Sequence, residues 1–319
     1  MEVRFGLPAA GQVATGPGVV ATIGTFDGVH VGHRAVLARL AERAAGARAE
    51  TLVCTFDPHP RAVLLPGRAP LQLTSLDARR MLLAGLGVDR LHVVEFSLGL
   101  SRLSAETFLD RLGSRHRLVG LVLGPGFAMG HRRHGTTAVL AAHGLRRGFW
   151  VETLAPVESE DRRVSSSLVR ERVASGELAA AGQLLARPFS FSGLVVPGDR
   201  VATRLGFPTA NLRCRPEQLL PALGIYVAWA RREGGRWGPA VASVGIRPHF
   251  GGGPVVVEVH CLWPPGTLYG EVLEVAWVER LRSEARFSSE RALRDQIARD
   301  VDAARARLTG AAGPPGLGG

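Results

Sequence analysis

Two domains of different class are predicted for this chain: an α/β domain on a parallel sheet covered by helices on both faces, then a mostly antiparallel β-barrel or sandwich followed by a C-terminal helix. Three observations predict it. The length of 319 residues suits two cores of ordinary domain size. Residues 18–150 alternate short β-branched apolar runs with helical stretches, the pattern of strands buried on both faces. At Arg187 and Pro188 the texture changes to short β-like runs divided by Gly/Pro turns. Domains are therefore expected at 1–186 and 187–309, with a Gly/Pro-rich, disordered tail over 310–319.

In chain order, strands are expected at 19–23, 51–55, 91–96, 118–123 and 149–154. Between them the helical spacing predicts helices at 34–45, 76–86, 105–112 and 136–143. Short helical stretches follow at 166–174 and 177–185, then barrel strands at 191–196, 225–231, 240–244, 255–263 and 272–278. The last helix carries Leu293, Ile297 and Val301 at four-residue steps, one apolar stripe. A parallel sheet binds ligands beyond the carboxyl ends of its strands. The segments there, 24–32, 56–70 and 124–133, are all Gly-, Pro- or His-rich.

All 39 basic residues are arginine. Without lysine there is no Walker A loop, no Schiff-base chemistry and no kinase of the β3-lysine type. Phosphate must be held by Arg, His, backbone N–H groups, hydroxyls or a metal. The net charge of +11 is spread evenly, with 22 arginines against 16 acids before Arg187 and 17 against 12 from it onward. No basic arm stands out and aromatics are sparse at 6%, so anionic nucleotides are expected as partners rather than nucleic acid. Cys54, Cys214 and Cys261 have neither disulfide-framework nor zinc-ligand spacing. No leader pattern and no apolar run of about 18 residues is present, so no membrane attachment and a cytoplasmic location are expected. Oligomeric state is not readable.

Three motifs carry chemistry. GTFDGVHVGH, residues 24–33, joins the first strand to the first helix and presents His30 and His33 around Gly32. Helix-terminus amides and two imidazoles there suit the phosphates of a nucleoside triphosphate, with imidazolium donors meeting charge on a transferring nucleotidyl group. A ligand-free capping pair is the alternative. Ser165, Ser166 and Ser167 before Arg170 open another helix; they are either caps or the rest of a lysine-free phosphate cradle. PTAN, residues 208–211, would project Thr209 and Asn211 one way if extended, offering two neutral oxygens to Mg²⁺ and ATP, unless it is a plain turn. Glu258 shares a strand face with His260 among β-branched residues; it is either a paired edge carboxylate or a base for phosphoryl transfer.

GTFDGVHVGH, FDPHP at 56–60, SSSLVR at 165–170, PTAN, VEVH at 257–260 and LYG at 268–270 together resemble the bacterial bifunctional riboflavin kinase/FMN adenylyltransferase family, over nearly the whole chain. The resemblance implies a nucleotidyltransferase-type, Rossmann-like first module that joins FMN to the AMP part of ATP. It implies a second module that phosphorylates riboflavin, with Mg²⁺ and ATP. It places Gly24, Phe26, Asp27, His30, Gly32, His33, Ser166, Ser167 and Arg170 at the first module's nucleotide, and Phe56, Pro58 and His59 near its flavin. In the second module it assigns Gly198, Pro208, Thr209 and Asn211 to Mg-ATP, Arg282 to flavin, and Glu258 as the base on the riboflavin 5′-hydroxyl.

Several positions depart from the family pattern. Gly126 and Ala128 stand where the family writes an acidic or amide side chain and a basic one, and Thr136 replaces an aspartate. In the second module Ala202 and Thr203 replace Gly-Arg, Ser243 replaces an asparagine, and Pro248-His-Phe250 replaces Pro-Thr-Phe. An alternative thus stays open: an active kinase beside a transferase that is weakened or altered in its nucleotide or flavin.

Overall fold

A computed structural model describes residues 1–8, 14–199, 201–246 and 255–317, and its contacts divide the chain into two units, Met1–Pro70 with Leu76–Ser165 and Leu71–Ser75 with Ser166–Gly319. In the first unit, strands β1 (Glu2–Phe5), β2 (Gly18–Ile23), β3 (Glu50–Asp57), β4 (Arg90–Glu95) and β5 (Arg117–Leu123) come before two short ladder strands, β6 (Ala128–Met129) and β7 (Gly135–Thr136). β8 (Trp150–Thr153) and the ladder β9 (Glu158–Ser159) with β10 (Arg162–Arg163) complete its strands. The sheet is parallel throughout, in the order β1-β4-β3-β2-β5-β8.

Helices α1 (Val31–Gly46), α2 (Pro60–Leu64), α3 (Leu76–Gly85), α4 (Leu98–Ser101), α5 (Ala105–Arg115) and α6 (Thr137–Arg147) connect the strands. Strand side chains alternate between two cores. Val19, Ala21, Ile23, Leu121 and Leu123 pack with Phe108, Leu109 and Leu140 of α5 and α6. Val20, Val53 and Val122 pack with Leu37 and Leu40 of α1 and Leu83 of α3. Chain order reverses at β2, which lies between β3 and β5, so the loops after β2 and β5 diverge and leave the crevice where such sheets bind ligands.

Edge strand β1 had no apolar signal, since Glu2 and Arg4 alternate with Val3 and Phe5. It is tied in by a buried pair. His92 on β4 donates Nε2–H to the Gly6 carbonyl at 2.5 Å, so its Nδ1 accepts from His116 Nε2–H at 2.9 Å. That leaves His116 Nδ1 buried without a hydrogen-bond partner. Burial pushes both imidazoles below their ordinary value, His116 to about 4 with help from His92 and nearby arginines.

The second unit holds α7 (Ser166–Ser175), α8 (Leu178–Leu185) and α9 (Val201–Arg204), then the barrel strands β11 (Phe189–Val196), β12 (Ala210–Arg213), β13 (Gly224–Arg232), β14 (Gly238–Ile246), β15 (Val255–Cys261) and β16 (Val272–Arg282). They close in the order β11-β12-β15-β14-β13-β16, antiparallel at each seam. Phe191 and Tyr226 flank the fully buried Trp277 inside. Helix α10 (Glu290–Leu308) buries Val301, Ala304 and Leu308 against Val227, Trp229 and Val241.

By contacts the second unit begins at Ser166, upstream of the expected 186/187, because α7 packs on α8, and α8 packs on β11 and β16. Leu71–Ser75 joins this unit through Gln72, whose N–H donates to Glu217 and whose carbonyl accepts from Leu219. The tail is not disordered over 310–317: it lacks regular structure, as its glycines and prolines require, yet Pro314 is buried and Leu317 joins the α10 core. Residues 247–254, with the Pro248-His-Phe250 departure, lie outside the described residues.

The histidine pair gives a test with a definite sign. A group whose folded pKa is depressed stabilises fully above its unfolded value, near 6.5, and that contribution is lost as pH falls toward about 4. The melting temperature should therefore drop more steeply between pH 7 and pH 4.5 in the wild type than in His116→Gln. Equal slopes would discard the pair as an acid-labile element.

Candidate active sites

The first site is built at the centre of the parallel sheet. β2 ends at Ile23, and the loop to α1 makes its turn with Phe26 at φ 49°, Gly28 at φ 83° and Val29 at φ 43°. A left-handed β-branched residue costs on the order of 1–3 kcal/mol and persists only where packing over-determines it. Here Phe26, Asp27 and Val29 are all at most 2% exposed, which supplies that packing. The loop is thus fixed before any ligand arrives.

His30 caps α1. Its Nδ1 accepts from the His33 N–H at 3.3 Å, and the two rings stack at 3.7 Å between centroids. Gly32 makes this possible, because a Cβ there would stand 3.1 Å from the His30 ring. His33 also rests on Phe26 at 4.9 Å, and its Nδ1 is buried without a hydrogen-bond partner. Burial, then His30 and the Arg79 cation, hold the His33 imidazole well below its ordinary pKa. That shift disfavours the expected imidazolium in the free protein.

FDPHP begins at the end of β3, the neighbour of β2. Phe56 packs edge-on against Phe96 at 5.7 Å and near Phe108 at 6.1 Å, and His59 caps α2 by accepting from the Arg61 N–H at 3.1 Å. Sequence reasoning missed Arg79. It is 3% exposed on α3 and donates to Thr55 Oγ1 at 3.1 Å and to the Phe56 carbonyl at 3.4 Å. Its signal was position: Arg79 stands with Leu76 and Leu83 on the helical spacing of the buried face.

Beyond β5, two of the three departures fall on one ladder: Ala128 pairs with Thr136 across β6 and β7, while Gly126 lies in the turn before it at φ 64°. Gly130 and Gly135 both press on Ala105, where no Cβ would fit. Ser166, Ser167 and Arg170 begin α7 in the second unit, where Arg170 Nε donates to the Leu71 carbonyl at 2.7 Å.

The second site lies on the barrel. PTAN runs into β12, and its register sets Asn211 opposite Glu258 on β15, which in turn faces Ser243 on β14. Residues directly opposite share a face, so a carboxylate stands between an amide and a hydroxyl. Gly198 lies against the Asn211 side chain, where a Cβ would collide with it. Thr209, Ser243, Glu258 and His260 line a cavity of about 250 Å³ whose other walls include Ile225, Val241, Phe287, Leu293 and Ile297. Such a mixture of apolar walls and a few convergent polar groups suits a flat ring ligand with a hydroxylated tail.

Two residues here were not among the expected site residues. His260 Nδ1–H donates to the Pro208 carbonyl at 2.7 Å and meets Phe207 edge-on, fixing the residue that precedes Thr209. Ser243 keeps a polar group beside Glu258 where the family writes asparagine. Arg282 forms part of the cavity wall, and its Nε and Nη2 donate to Asp300 at 2.7–3.1 Å, an arrangement Gln296 completes from α10. Among the described residues no cluster of three or more His, Cys, Asp or Glu could hold a metal, so any ion here would depend on neutral oxygens, isolated carboxylates and substrate.

Comparison with known proteins agrees with this division. A family model described as FAD synthetase matches residues 13–168, and one described as riboflavin kinase matches residues 185–308. The bifunctional riboflavin kinase/FMN adenylyltransferase of Pseudomonas fluorescens is 41% identical, covering 91% of this chain and 93% of its own. That of Escherichia coli K12 is 37% identical over 90% and 92%. A crystal structure described as a macrolide-efflux protein from Streptococcus pneumoniae superposes with TM-score 0.85 at 28% identity, covering 96% of this chain and 99% of that one. Among the described residues of this chain, no helix is long and apolar enough to cross a membrane. With two family models in series and relatives aligned over nine-tenths of its length, the chain belongs to the bifunctional riboflavin kinase/FMN adenylyltransferase family.

Proposed function

We propose that the barrel phosphorylates riboflavin through Glu258 and that the sheet unit adenylylates FMN through the His30 and His33 loop. The observation that carries the first assignment is Glu258, which lines the cavity with Ser243 and Thr209 and pairs across the strands with Ser243 on one side and the buried Asn211 on the other. Glu258 accepts the proton of the riboflavin 5′-hydroxyl as that oxygen attacks the γ-phosphorus, and ADP leaves with the electron pair of the broken bond. Thr209 and Asn211 present neutral oxygens, a donor set suited to Mg²⁺ that shares its remaining positions with water and ATP phosphates. When bound, the ion neutralises phosphate charge. His260 steadies Pro208 and thereby the Thr209 hydroxyl.

In the sheet unit, a phosphate oxygen of FMN attacks the α-phosphorus of ATP and pyrophosphate departs with the electrons of the α–β bridge. The first-turn amides of α1 and an N–H of the His33 ring donate to the phosphates in this reading, since the helix N-terminus favours an anion and the ring stacks beside it on His30. The Phe56, Pro58 and His59 loop borders the flavin.

The reaction is followed by chromatography of riboflavin, Mg²⁺ and ATP with purified protein. FMN followed by FAD is expected, an excess of chelator should stop both steps, and absence of both products would reject the assignment. Glu258→Gln should lower FMN formation by roughly 10²–10⁴-fold while FMN added directly is still converted to FAD. His33→Ala should lower the FAD step by about 10²–10³-fold and spare FMN formation. A variant that impairs both steps equally contradicts separate sites.

A further inference from the structure

Arg79 and Thr55 stand outside the chemistry just described, yet they join the bases of its two loops. Thr55 is fully buried on β3. Its hydroxyl accepts from Arg79 Nη1 at 3.1 Å and donates to the Thr25 carbonyl at 3.2 Å, and the same guanidinium nitrogen reaches the Phe56 carbonyl at 3.4 Å. Thr25 is the second residue of the loop that carries His30 and His33. Phe56 is the first residue of FDPHP. A run of three hydrogen bonds therefore spans from α3 through β3 to the end of β2, crossing from one loop to the other inside the protein.

We propose that Thr55 and Arg79 are positioning residues for adenylyl transfer, holding the phosphate-side loop and the flavin-side loop in one fixed relation. The inference rests on the adenylyltransferase reading of the sheet unit. Its physical content is alignment: the FMN oxygen must lie in line with the bond breaking at the α-phosphorus, and a misplacement of about 1 Å costs on the order of 10²-fold in rate. Each loop keeps its own shape without the bridge. The His30 loop is held by its buried Phe26 and Val29, and FDPHP by the Phe56 ring contacts and the His59 cap. Loss of the bridge should thus disturb the relation between substrates more than the binding of either one.

Thr55→Val is nearly isosteric and removes only the hydroxyl. It should lower kcat for FMN-to-FAD conversion by about ten- to a hundredfold while KM for ATP and for FMN stays within about twofold. Thr55→Ser restores the hydroxyl and should recover kcat to within about threefold. Arg79→Met keeps an apolar stem and removes the donors, and should reproduce the kcat loss with little change in melting temperature. Riboflavin phosphorylation by the barrel, measured in the same preparations, should be unchanged in every variant and reports that the chain is folded. The inference is overturned if Thr55→Val and Arg79→Met turn over at the wild-type rate, if Thr55→Ser is as slow as Thr55→Val, or if the loss appears in KM alone. A wild-type protein that makes FMN but no FAD overturns instead the adenylyltransferase reading, and this inference with it.

Discussion

A slip of one residue between β15 and its neighbours would turn Glu258 away from its cross-strand partners Asn211 and Ser243, toward the buried face, and bring Val257 or Val259 outward beside them, because strand side chains alternate. Register is therefore the constraint on which the kinase site depends, and burial of that valine pair enforces it, since both are about 1% exposed. The sheet unit obeys the same rule in parallel form. Ile23 pairs with Cys54, which brings the ends of β2 and β3 level, and only then can Thr55 reach the Thr25 carbonyl.

Lysine's absence acquires a physical explanation in these two sites. In the proposed function, the first site would meet phosphate with helix-terminus amides and imidazoles, in front of the buried Arg79, and the second would use neutral oxygens and one carboxylate together with a cation and ATP. Arginine could not replace a P-loop lysine in kind, because a planar fork is not a compact point charge. As the structural buried cation at Arg79 the fork is an advantage, since it serves the Thr55 hydroxyl and the Phe56 carbonyl at once.

Most of the architecture was legible because the strands of the parallel sheet are uninterrupted apolar runs and its helices are periodic. Elements that lacked those signals were not found. β1 alternates charged with apolar residues at an exposed edge, and β12 is four residues long behind a proline. In sequence α7 and α8 look like the other helices of the α/β half; the packing of α8 on barrel strands, and of α7 on α8, groups them with the barrel by contacts. His30, His33, Thr209, Asn211 and Glu258 were singled out from motif and context, and the structure stacks His30 on His33 and sets Asn211 opposite Glu258. Arg79 and His260 were not, because each works through a partner far away in sequence: Arg79 through Thr55, and His260 through the Pro208 carbonyl. The lowered pKa of His33 follows from burial, a neighbouring ring and the Arg79 cation, none of which a linear motif displays.

Val29 illustrates what a preformed site demands of later sequence change. Its left-handed backbone would favour glycine or asparagine on local energetics, yet its side chain is fully buried beneath the His30 and His33 loop. A substitution that relaxes the backbone removes core packing, and one that keeps the packing retains the strain. Backbone relaxation and core packing thus pull in opposite directions at this position. A search for hardier variants would find its gains elsewhere in the chain and leave this turn untouched.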